Sequence, residues 1–218
     1  AFLQLEYGFI SGWYFVSGKK IDLEEVRYRN LSKIQSQVPT SILGSDYGKN
    51  NQTIKEAFFR MITSAKEEVL ITTPYFVPDD SILNALKITA KSGVTISLLL
   101  PAKPDSRTAF YASQTYFKDL LNSGVEINYY TRGMMHSKMM IIDGSVSTVG
   151  STNMDQRSFN LNAEVNAFML SEKIAQDLKN NFMNDLKDSY PLTLDILRRR
   201  KWYVKVICSI ARLLAPIL

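Results

Sequence analysis

Between residues 51 and 130 the chain alternates three times between helix-spaced apolar residues and short apolar runs, a rhythm that leaves few folds open. Ile54, Phe58, Met61, Ile62 and Ala65 recur at the helical period, with Asn51 or Thr53 placed to cap them. Residues 69–72 read as a strand closed by Thr73-Pro74. A second helix is expected over 80–91, with Ile82, Leu86 and Ala90 inward and Gly93 just past its end. Residues 94–100 read as a buried strand stopped by Pro101. A third helix spans about 106–122 and ends at Gly124, before a strand at 125–130. Consecutive units of this kind require right-handed crossovers and parallel strands. Beyond Gly133 short β segments crowd together at 135–142, 146–149 and 163–170, followed by a helix at about 172–186. The expected fold is an α/β sandwich with a mixed, largely parallel central sheet flanked by helices.

With 218 residues, 45% of them hydrophobic, the chain can build one globular domain with appendages and is too apolar for disorder. A single cysteine, Cys208, excludes a disulfide-stapled scaffold. Three parts are expected: a connector over 1–36, aromatic at first and then charged; a domain over 37–190; and a basic tail over 191–218. The chain begins with Ala1 and shows no signal-peptide pattern, which reads as the interior of a longer chain or a processed end.

The net charge of +5 is confined to that tail. Residues 196–218 hold Arg198, Arg199, Arg200, Lys201, Lys205 and Arg212 and no acid; without these, 20 basic side chains face 21 acidic ones. A body near neutrality argues against a general nucleic-acid binder. In the tail, Trp202, Val206, Ile210, Leu213 or Leu214, and Ile217 recur at helical spacing, opposite Arg198, Lys201, Lys205, Ser209 and Arg212. The pattern describes a basic amphipathic helix lying on an anionic membrane, too short and too charged to span a bilayer. Arg198, Arg199, Arg200, Lys201, Trp202, Lys205 and Arg212 are its candidate membrane contacts.

The chemistry concentrates between residues 135 and 153. In a strand, His136 and Lys138 share a face, and an imidazole beside an ammonium makes sense when an anion sits between them. Asp143 follows at a turn with Gly144, and Gly150-Ser151-Thr152-Asn153 offers hydroxyl and amide donors suited to phosphate oxygens. His136 is the only histidine. No cluster with metal-ligand spacing occurs.

His136, Lys138 and Asp143, with Gly150, Ser151 and Asn153, resemble the HKD signature of the phospholipase D superfamily. The runs 73–80 and 150–159, together with the Arg- and Trp-containing tail, resemble the C-terminal half of bacterial cardiolipin synthases, and residues 1–22 the segment joining that family's halves. The resemblance implies a phosphatidyltransferase that converts two phosphatidylglycerols into cardiolipin and glycerol through a phosphohistidine on His136. It also implies that Glu164 orients the imidazole, that Lys138, Ser151 and Asn153 hold phosphate oxygens, and that no metal or cofactor takes part. Asp143 either fixes the strand turn or tunes Lys138. Family enzymes carry two HKD motifs, whereas this chain has one, so a second histidine must come from an N-terminal half or a homodimer. Implied partners are phosphatidylglycerol and a bacterial membrane surface, reached peripherally at the cytoplasmic face or through an N-terminal anchor, with no nucleic acid. The alternative is a single-motif phosphodiesterase or nuclease acting as a homodimer, with a membrane-binding half-protein without activity as a third reading.

Overall fold

The structure, a computed structural model, describes residues 2–21, 38–45 and 52–218. The charged stretch after Ile21, the rest of the expected connector to residue 36, and Asn51 lie outside the described residues. An aromatic helix, α1 (Phe2–Ser17), precedes β1 (Thr40–Ser45), a strand without a clear sequence signal. The alternating region then runs α2 (Thr53–Ser64), β2 (Glu68–Thr72), β3 (Phe76–Val77), α3 (Asp80–Lys91), β4 (Thr95–Pro101), α4 (Arg107–Asn122) and β5 (Glu126–Tyr130). After it come β6 (Met139–Ile142), β7 (Val146–Gly150), β8 (Met154–Asp155), α5 (Gln156–Asn160), β9 (Glu164–Leu170) and α6 (Glu172–Lys187). The chain finishes with β10 (Ser189–Pro191), α7 (Leu194–Arg198), α8 (Trp202–Arg212) and a 3-10 turn at Ala215–Ile217.

Local chemistry explains most boundaries. Asp79, Ser106 and Ser171 cap α3, α4 and α6 by accepting from the backbone N–H groups of Ile82, Ala109 and Ile174. Thr53 is the first helical residue of α2 and does not cap it; Gln52 precedes it without a side-chain cap. Gly93 and Gly124 follow α3 and α4 with φ of 98° and 93°, the left-handed geometry that closes a helix and that only glycine adopts freely.

Among the described residues the main sheet has the order β1-β9-β7-β6-β2-β4-β5-β10, and β3 pairs separately with β8. The α/β sandwich and mixed sheet are as expected, but the sheet is not largely parallel. Only β2-β4 and β4-β5 pair in parallel; the other five pairings of the main sheet are antiparallel. The parallel pairs come from the crossovers through α3 and α4. The three-residue turn between β6 and β7 permits only a reversal of direction, and α6 carries the chain from β9 across the sheet to β10, which pairs antiparallel with β5.

Alternation along the strands divides the core in two. Val69, Ile71, Ile96, Leu98, Leu100, Met140 and Ile142 join α2, α3 and α4 on one face. Leu70, Leu99, Met139 and Ile141 meet Ala175 and Phe182 of α6 on the other. The end of the chain docks on this body. Cys208 and Ala211 are buried where α8 meets α4, the Arg212 guanidinium lies 4.7 Å from the Tyr116 ring centroid, and the Arg157 N–H donates to the Leu218 carbonyl at 2.8 Å. Arg200 donates to Gln114 Oε1, and Gln114 in turn donates to the Tyr129 hydroxyl at 2.7 Å. Arg200 is therefore half-buried, whereas Arg198, Arg199, Lys201, Lys205 and Arg212 are exposed, Arg212 while lying against Tyr116.

Candidate active site

The C-terminal end of β2 meets the start of β6 and the end of β7 through the pairs Thr72↔Met139 and Met139↔Val149. In open α/β sheets the carboxyl ends of parallel strands are where crossovers leave room for ligands. His136 and Lys138 stand at this end, on an extended lead-in rather than within the expected strand at 135–142. The β6 ladder begins only at Met139, because β2 stops before Thr73-Pro74 and offers nothing for the earlier residues to pair with. One backbone bond, from the Gly150 N–H to the Lys138 carbonyl at 3.2 Å, ties the lead-in to β7.

The two side chains converge as the sequence pattern suggests. Lys138 Nζ lies 3.0 Å from His136 Nδ1 and 3.3 Å from Nε2, and donates to the His136 carbonyl at 2.9 Å. Lysine has only donors, so the ring nitrogen it faces must present its lone pair. His136 is exposed. Partial burial lowers the Lys138 pKa, against the opposing pull of the Glu164, Asp155 and Asp105 carboxylates.

Glu164 is buried at the start of β9, but its carboxylate does not hydrogen-bond His136 among the described contacts. It accepts from the Ser151 hydroxyl and, at 3.0 Å, from Asn162 Nδ2. Ser151 has thereby given away its one proton, and its oxygen also accepts from the Val165 N–H at 3.0 Å. Asn153 turns its amide toward the Ser158 hydroxyl at 3.3 Å. The structure thus brings Ser151 and Asn153 to the site but uses them internally, leaving Lys138 as the donor nearest the imidazole. Asp155, capping α5 through the Ser158 N–H at 2.7 Å, has its carboxyl pKa raised by burial. Gly150 is required here: a Cβ would lie 2.3 Å from the Asn166 side chain and the Val165 carbonyl.

Asp143 is elsewhere. It ends β6 at the opposite edge, with φ of 49°, and its carboxylate accepts from the N–H groups of Lys66, Glu67 and Glu68 at 2.9, 2.8 and 2.9 Å. Of the two roles open in the sequence, fixing the turn is the one its geometry supports, and it does not join the His136–Lys138 pair. Conversely, Tyr75 beside His136, and Asp105 behind it, carry weaker sequence signals. The Tyr75 ring meets the imidazole edge-on at 6.4 Å, and its hydroxyl donates to Asp105. Asp105 follows the end of β4, so its signal was its place at a parallel strand's carboxyl end. Phe76 instead packs in the core against Tyr116 and Phe117.

Residues 58–186 match the family described as cardiolipin synthase, PLD-like domain. The chain belongs to that family. It is 40% identical over 214 residues to the cardiolipin synthase of Geobacillus sp. (strain WCH70), covering 98% of this chain and 43% of that protein. It is 39% identical over 216 residues to cardiolipin synthase 2 of Bacillus anthracis, covering 98% and 42%. The chain thus spans less than half the length of these cardiolipin synthases. Phosphatidylserine synthase from Haemophilus influenzae Rd KW20 superposes with a TM-score of 0.65 at 12% identity, over 85% of this chain and 49% of that one. Nuc from Salmonella typhimurium, a phospholipase D family member, superposes at 0.61 and 18% identity, over 72% and 99%. Both likenesses concern the fold.

The placement of Asp143 has a measurable consequence. Burial alone would raise its carboxyl pKa, but three N–H bonds hold it below the ordinary carboxylate range. Its stabilisation is therefore complete above the unfolded-state pKa of about 3.9 and disappears as pH falls through the lower folded value. Asp143→Ala should cost about 2 kcal/mol in denaturant unfolding at pH 7, and Asp143→Asn less, since asparagine keeps an acceptor and tolerates positive φ. The Ala penalty should shrink below pH of about 4; an undiminished penalty at low pH would contradict the assignment.

Proposed function

We propose that this chain is one half of a phosphatidyltransferase of cardiolipin-synthase type, in which His136 carries the phosphatidyl group covalently. The observation that carries the reading is the exposed His136–Lys138 pair at the ligand-accepting end of the sheet. About 40% identity to cardiolipin synthases along nearly the whole chain supports it.

In the first step an unprotonated nitrogen of His136 attacks the phosphorus of phosphatidylglycerol. A P–N bond forms, the P–O bond to glycerol breaks, and the departing oxygen takes a proton from a second histidine. In the second step a hydroxyl of another phosphatidylglycerol attacks the phosphohistidine, its proton passes to that second histidine, and cardiolipin leaves. Lys138 faces the non-bridging oxygens and offsets their charge. Glu164, fixed by Ser151 and Asn162, places a carboxylate beside Lys138 and acts as a positioning residue for it. The second histidine is absent from these 218 residues and must come from another HKD-bearing half. The near-neutral body disfavours the nuclease alternative, since a polyanion site is expected to be ringed by cations.

The same reading places the chain at a membrane surface. No described helix is long and apolar enough to cross a bilayer. The outward side of α8 nevertheless presents Trp202 and Ile210, continued by Leu213 and Ile217, all exposed by 60% or more. Lys201 and Lys205 flank them, and Arg198 and Arg199 precede them. An apolar stripe with a cationic border matches an anionic lipid interface.

Three outcomes follow. With labelled phosphatidylglycerol, acid quenching should trap a phosphoenzyme in the assembled enzyme, and His136→Ala should abolish it; a label surviving in that variant would remove His136 as nucleophile. The isolated chain should show at most traces of turnover until the complementing half is added, and full turnover by a monomer would refute the half-site reading. In vesicle flotation the chain should bind phosphatidylglycerol vesicles over neutral ones, with each of Lys201→Gln and Lys205→Gln weakening binding by about 1 kcal/mol. Equal binding to both vesicles would contradict the electrostatic part.

A further inference from the structure

Asp105 is a carboxylate in the wrong place for a site that handles only anionic diesters. It is exposed, close enough to Lys138 to act on its charge, and has no cation within 4 Å among the described ion pairs. Its partner is the Tyr75 hydroxyl, which donates to both oxygens at 2.8 and 2.7 Å while the Tyr75 ring abuts the His136 imidazole. Tyrosine so placed keeps its proton, with a pKa raised to about 12 by burial and then by Asp105. The pair is consequently a charged acceptor on a fixed arm at the edge of the nucleophile.

A carboxylate repels a phosphodiester but binds neutral hydroxyls well. Ionised, it has about four lone-pair directions, and one tyrosine proton leaves most of them free. Hydrogen bonds to a charged acceptor are about twice as strong as neutral ones.

We propose that Asp105, held by Tyr75, binds the hydroxyl of a vicinal-diol headgroup beside His136 and so selects polyol acceptors over simple alcohols and water. The inference rests on the phosphatidyltransferase reading and specifies its acceptor subsite. As the diol's primary hydroxyl attacks the phosphohistidine, its neighbouring hydroxyl donates to Asp105; the P–O bond forms, the P–N bond breaks, and the attacking proton leaves to the second histidine. Asp105 itself gains and loses no proton.

The test is partition of one intermediate among acceptors. The assembled two-motif enzyme is supplied with phosphatidylglycerol together with labelled glycerol and 1-propanol at equal concentration. Labelled phosphatidylglycerol, phosphatidylpropanol and phosphatidic acid are then counted. Asp105→Asn should lower the glycerol-to-propanol ratio roughly tenfold or more while propanol and water products persist. Tyr75→Phe, which frees the carboxylate from its arm, should lower the ratio less. A uniform fall in all three products, or an unchanged ratio in Asp105→Asn, would overturn the proposal while leaving the phosphatidyltransferase reading intact. Absence of all transfer by the unmodified enzyme would instead bring down that reading, and this one with it.

Discussion

An ammonium group held 3.0 Å from a ring nitrogen of the chain's sole histidine is the contact on which the rest depends. A cation facing an imidazole lone pair, with no acid between them, makes a poor element of a core and fits the proposed receptor for a phosphoryl group. The surroundings serve to keep it there. Lys138 is anchored through its own carbonyl to the Gly150 N–H and through its ammonium to the His136 carbonyl, so both ends of the residue are fixed. Glu164, Asp155 and Asp105 maintain the cation against the loss of water around it.

The fold supplies the location. β6 is a four-residue strand whose two ends do different work. One end is fastened by Asp143 to the backbone of residues 66–68, which sets its register against β2. The other leaves the sheet where β2 has ended, so that His136 and Lys138 project into space that no neighbouring strand fills. Gly150 allows β7 to press against Asn166 and Val165 of β9, carrying Ser151 to Glu164. The turn-forming acid and the reactive pair are thus linked through the strand rather than by direct contact.

Much of this is legible in the sequence, for identifiable reasons. The helices with strong apolar periodicity and polar caps, such as α3 and α4, were placed within a residue or two, because local signals and tertiary packing agree there. β1 carries no such signal, because Thr40–Ser45 mixes small and polar residues and its place beside β9 is set by a partner more than a hundred residues away. The sheet was expected to be more parallel than it is, since pairing direction outside the crossovers depends on turn length rather than strand composition. Spacing alone brought His136 and Lys138 together, although they lie just outside the strand that was to align them. Spacing could not separate Asp143 from them: five residues along a strand and a turn carry it to the far end of β6. The tail shows the same limit. Its amphipathic pattern is visible, but that Arg200 is drawn in while the other cations stay exposed depends on Gln114 of α4.

The most direct measurement of the central claim is the stereochemical course at phosphorus. A phosphatidylglycerol made chiral at phosphorus with sulfur and an oxygen isotope would be turned over by the assembled enzyme to a single product. Two successive in-line displacements, onto His136 and off it, predict net retention of configuration. Net inversion would mean that the acceptor attacks the substrate directly, and that the histidine–lysine pair never holds the group it is built to receive.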